Sequence, residues 1–234
     1  MLCDKNESLE SRNFIDGVDF TRNDPCIFVV YPSGAAGDLL ISIIDKHYLR
    51  TGCEYYGINN DGRVHMLTAD YDSMDLYKNY KFNDQWFYDL AENLGNRNLN
   101  YSLLDQVIFG CHMYQNLQIQ YILDTFPQCK IIRIIPMNQQ GQDLIQSLAD
   151  LKLNAGKVNS TREFVPADAF SDHRVLSVPF GSLFDEELYY KWYDHIINFL
   201  NLKGRLICFD YVKYYLSKQH KSIQFELINY SKTL

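Results

Sequence analysis

The chain has 234 residues and a formal net charge of -7, long enough for one α/β domain with an ample core and too acidic for a general nucleic-acid binder. Its six cysteines are scattered without a CxxC pair, so they read as reduced thiols of a cytoplasmic protein, not as a disulfide framework or a metal site. No apolar run reaches the length of a membrane span.

Residues 1 to 24 are polar and charged, with little periodicity, and read as a frayed or lightly docked arm ahead of a single domain over residues 25 to 234. The most informative stretch comes next. Ile27 to Val30 form a β-branched and aromatic run suited to an interior parallel strand, and Leu39, Leu40, Ile43 and Ile44 recur at helical spacing. Between them lies Pro32-Ser33-Gly34-Ala35-Ala36-Gly37, followed by Asp38. A strand, a loop of small residues and a helix N-terminus make a seat for a phosphate or sulfate group. Backbone amides can turn inward there, and the first helical turn adds free N–H groups and the positive end of its dipole. The loop is not a Walker A sequence, because the Lys-Ser/Thr pair is missing after Gly37. The same residues also fit a tight strand-to-helix connection whose glycines only permit close packing.

An insertion over residues 51 to 101 follows, rich in Tyr, Asp and Asn. It holds a turn signal, Asn59-Asn60-Asp61-Gly62, and an amphipathic helix through Trp86, Leu90 and Leu94. Substrate specificity is expected in this insertion. The alternation then resumes with strand Gln106 to Phe109, helix Gln115 to Phe126, strand Lys130 to Ile135 and helix Gln142 to Leu153. Residues 154 to 172 read as a long loop able to act as a lid, ahead of strand Arg174 to Val178. Leu188, Trp192, Ile196, Phe199 and Leu200 form one stripe of a helix over Glu187 to Leu202. A last helix around Leu206 to Ser217 and an edge strand in the final dozen residues complete the prediction. The order implies a three-layer α/β fold, a parallel sheet flanked by helices, with the ligand at the carboxyl ends of the strands.

Two charged or titratable side chains stand near that edge. His112 ends a predicted strand, where an imidazole can take a proton from an attacking hydroxyl, or simply be satisfied by a loop carbonyl. Arg133 lies on an interior strand, so it is expected to be buried and to need an anionic partner, either a phosphate or an Asp of the neighbouring strand. No pair of histidines has metal-ligand spacing, and no metal site is expected.

Four short segments stand in an order that resembles one family. They are Tyr31-Pro32-Ser33-Gly34 before a helix, Gln106-Val-Ile-Phe-Gly-Cys-His112 at a strand end, Phe126-Pro-Gln-Cys-Lys-Ile-Ile-Arg-Ile-Ile-Pro136, and Val178-Pro-Phe-Gly-Ser-Leu183 before a helix ending Phe199-Leu-Asn-Leu202. Together they resemble the sulfotransferases, P-loop-like α/β enzymes that move a sulfuryl group from 3′-phosphoadenylyl sulfate to a hydroxyl and release adenosine 3′,5′-bisphosphate. The acceptor that the resemblance implies is a sugar or another small molecule. It also implies that Ser33, Gly34, Ala35, Ala36, Gly37 and Asp38 cradle the 5′ side of the cofactor, that Arg133 and Ser147 address the 3′-phosphate, and that His112 is the catalytic base. The family's loop lysine has no counterpart between Pro32 and Ser33, and Ala35 and Ala36 stand near where hydroxyls contact phosphate. Those departures favour a second reading, a non-catalytic relative that recognises a glycan or a protein partner. A dinucleotide-binding turn at Gly34-Ala-Ala-Gly37 is a third reading, but the first glycine of its G-x-G is missing.

Overall fold

The computed structural model describes residues 13–15, 18–20, 23, 25–32, 34–47, 107–111, 116–153, 171–203, 207–219 and 221–234. The expected insertion over 51–101 and nearly all of the expected lid over 154–172 lie outside them. Two short strands, β1 (Asn13–Ile15) and β2 (Val18–Phe20), pair antiparallel inside the stretch read as an arm. The polar composition of that arm conceals this local pairing.

The next strand, β3 (Cys26–Val30), is buried at every position, as a strand covered on both faces must be. It runs into α1 (Gly37–His47), where Leu39, Leu40, Ile41, Ile43 and Ile44 are all buried. Burying one such side chain stabilises by ~1.5 to 3 kcal/mol. Further along the chain come β4 (Val107–Cys111), α2 (Asn116–Thr125), β5 (Cys129–Ile135) and α3 (Gln139–Leu153). The described chain ends with β6 (Val175–Pro179), α4 (Glu186–Leu200), α5 (Asp210–Ser217) and α6 (Lys221–Ser231).

Four strands form one parallel sheet in the order β4-β3-β5-β6. Helices cover both of its faces. Lys130 pairs with Ile27 in the register and shares its face, and its ammonium reaches the Phe199 carbonyl of α4 at 2.5 Å. Phe28 points to the opposite face and packs on Phe126 after α2, ring centroids 5.0 Å apart. The fold is therefore α/β with a parallel sheet, as the alternating pattern implied.

Local chemistry explains the element ends. Asp185 caps α4 by accepting from the amides of Glu187 and Leu188 at 3.0 and 3.1 Å. Asn201, left-handed at φ 56°, closes the other end, so the helix stops at Leu200, two residues before the expected Leu202.

The carboxyl terminus corrects the sequence reading, because the expected edge strand is the helix α6. Ile223, Phe225 and Leu227 alternate like a strand, yet the buried set is Leu227, Tyr230 and Ser231, a helical spacing that leaves Phe225 exposed. Tertiary docking decides the outcome: Tyr230 stacks on Phe180 at 5.6 Å. Its ring and hydroxyl also fill the space that side chains at Gly141 and Gly181 would take. Among the described residues no helix is long and apolar enough to cross a membrane.

Candidate functional site

Taken in chain order, the sheet strands run second, first, third, fourth across the sheet, so connections leave β3 and β5 in opposite directions. In open parallel sheets that reversal opens a crevice at the carboxyl ends of the two strands. Here those ends are Val30, which leads into the small-residue loop, and Ile135, which leads into Pro136 and α3.

The loop is folded around a tyrosine. A turn from Pro32 to Ala35 is closed by the Ala35 amide donating to the Pro32 carbonyl at 3.0 Å, and Gly34 takes φ +90° within it. A Cβ at Gly34 would sit 2.4 Å from the Ile145 carbonyl oxygen and 2.9 Å from the Ala149 amide of α3, so glycine is required both by conformation and by approach. Ala36 is also left-handed, at φ 56°. The Tyr31 ring lies on Gly37, where a Cβ would come within 2.1 Å of the ring carbons. Its hydroxyl donates to the Asp38 carboxylate. Tyr31, Ala35, Ala36 and Gly37 are all buried, and Gly34 and Asp38 are half-buried. The loop thus has the left-handed turns and helix N-terminus of an anion seat, but its interior holds the chain's own phenol and carboxylate. Sequence reasoning missed this filling. Its signal was Asp38, an acceptor placed where an anion was expected.

Arg133 stands beside this loop in the register, its Cα paired with Val30 on one side and Ser177 on the other. It is 6% exposed, and its Nη1 is buried with no hydrogen-bond partner among the described residues. Burial pulls its pKa below the usual arginine value, though a guanidinium remains charged in a protein. Among the described residues the Asp partner considered from the sequence is not there: β3 and β6 place Val30 and Ser177 beside it. A buried, incompletely satisfied cation at a switch point is a position that an anion would complete.

The remaining candidates fall into place as follows. Ser147 lies between Ile145 and Ala149, the stretch of α3 that Gly34 approaches, but it is exposed and donates to the Asp143 carbonyl of its own helix at 2.9 Å. Ser33 and His112 lie outside the described residues. Cys111 is level with Val30 and Arg133 in the register, so the strand that precedes His112 ends at this same edge.

Arg174 is committed at the opposite edge. It grips Asp172 in a fork, Nε to Oδ1 at 3.2 Å and Nη2 to Oδ2 at 2.9 Å. Its Nη1 donates to the Leu123 carbonyl at 3.0 Å, near the end of α2. No family model, curated protein or solved structure matches the chain.

Proposed function

We propose that this is a P-loop-like α/β protein that binds a phosphate- or sulfate-bearing nucleotide at the carboxyl ends of β3 and β5, with sulfuryl transfer from 3′-phosphoadenylyl sulfate as its activity. The observation that carries the proposal is Arg133, a buried guanidinium whose Nη1 has no partner among the described residues, in register with the strand that feeds the small-residue loop. The residues fit such a cofactor in part. Arg133 offers a counter-charge for one phosphate, and the loop from Gly34 to Asp38 offers a helix N-terminus for a second anionic group.

The cofactor supplies an activated sulfuryl group. The chain's own share is to hold both anionic ends, orient the acceptor hydroxyl and remove its proton, the last assigned to His112 Nε2 or Nδ1. Such positioned proton removal is worth ~10²- to 10⁴-fold. The acceptor is a hydroxyl of a sugar or another small molecule.

The test is thermal unfolding with adenosine 3′,5′-bisphosphate, set beside ADP, ATP and NAD. Ligand at about a hundred times its Kd adds ~2.7 kcal/mol, which moves the midpoint of a chain this long by roughly 5 to 10 °C. A shift with the bisphosphate alone supports the reading, and no shift with any nucleotide overturns it. A second reading, a non-catalytic relative that binds a glycan or protein partner, is favoured by the Tyr31–Asp38 contact inside the loop. It predicts that function is insensitive to His112→Ala.

A further inference from the structure

We infer that Tyr31 and Asp38 form a built-in stopper on the anion seat, so that a ligand's anionic group reaches the α1 N-terminus only when the Tyr31 ring leaves it. The inference rests on the nucleotide-binding reading above and adds a conformational step to it. Four observations converge. The Tyr31 ring occupies the space over Gly37, the first residue of α1. Tyr31 is 2% exposed, and Ala35, Ala36 and Gly37 are buried, so the start of α1 is covered while Asp38 stays half-buried. The phenol is tethered by its bond to Asp38. Asp38 itself sits in the first turn of α1, where its carboxylate complements the helix dipole from within.

A ligand anion must therefore displace a ring and face a like charge. Against these stands Arg133, whose buried Nη1 lacks a partner among the described residues and which is the register partner of Val30, just before Tyr31. The stopped state leaves that cation incompletely paired, and the opened state lets an anion complete it. Two arrangements of one loop then compete, and apparent affinity equals intrinsic affinity scaled by the open fraction. Anything that loosens the tether or removes the rival charge raises affinity.

The experiment is calorimetric titration of adenosine 3′,5′-bisphosphate into the natural chain, Tyr31→Phe and Asp38→Asn. Tyr31→Phe keeps the ring and removes the tether, whereas Asp38→Asn keeps a hydrogen-bond acceptor and removes the charge, so both substitutions are nearly isosteric. The stopper predicts that each variant binds about fivefold or more tightly than the natural chain. Equal or weaker binding in either variant, with the natural chain binding, overturns the stopper and leaves the nucleotide reading standing. Binding by both variants and not by the natural chain supports the stopper in its strongest form. No binding by any of the three overturns both readings together.

Discussion

Lys130 and Arg133 lie three residues apart on β5, and the fold treats their charges in opposite ways. At the amino end of the strand, Lys130 gives its ammonium to the Phe199 carbonyl at the end of α4 and lies over the Phe199 ring at 5.4 Å. Arg174, the residue just before β6, donates to the Leu123 carbonyl near the end of α2 and grips Asp172. These cations are used as structural caps, satisfying helix carbonyls that would otherwise lack donors. At the carboxyl end, Arg133 is more deeply buried and less well satisfied. Desolvating a guanidinium without full compensation costs stability, so the two edges differ in what they serve. The amino edge holds the fold together, and the carboxyl edge keeps a cost that a bound anion would offset.

The comparison can be broken first at the loop that borders Arg133. Gly34→Ala places a methyl group against the backbone of α3 in a left-handed conformation. A loss of ~2 to 4 kcal/mol in chemical denaturation is expected. A loss below about 1 kcal/mol would show that the loop is free to move off α3. Next comes the satisfied edge, where Arg174→Ala removes a forked pair and a carbonyl cap together. Its expected cost is about 1 to 3 kcal/mol, with bisphosphate binding unchanged.

The smallest effect is a pH dependence at the same pair. Hydrogen bonds from Arg174 hold the Asp172 carboxyl below the usual carboxylate range. A lowered folded pKa means stability that is fully present above the unfolded value of about 4 and lost as pH falls through the folded value. Acid titration of the unfolding midpoint should show that loss. Asp172→Asn should flatten it, and an unchanged slope in that variant would remove Asp172 from the account.

The difference between the edges also marks what the sequence could tell. Burial of β3 and β5 was legible in Ile27 to Val30 and in Ile131 and Ile132, because continuous apolar runs have few other uses. The need of Arg133 for a partner followed from its place on an apolar strand. That Val30 and Ser177 flank it depends on strand register, which is a tertiary property. The loop's small residues were read as room for an anion, whereas that room admits the Tyr31 ring. Nothing local distinguishes the two uses. The helix α6 was hidden for a related reason, since its alternating apolar residues fit either period until Tyr230 docks against Gly141 and Gly181.

The central claim is that Arg133 is held for an anion, and Arg133→Met tests it most directly by thermal unfolding with and without adenosine 3′,5′-bisphosphate. Exchanging an incompletely paired buried charge for an apolar side chain of similar length should stabilise the free protein by about 1 to 4 kcal/mol. It should also abolish the nucleotide-induced shift expected of the natural chain. A variant that unfolds at a lower temperature without nucleotide, yet keeps the full shift with it, would contradict the account and make Arg133 one more structural cation.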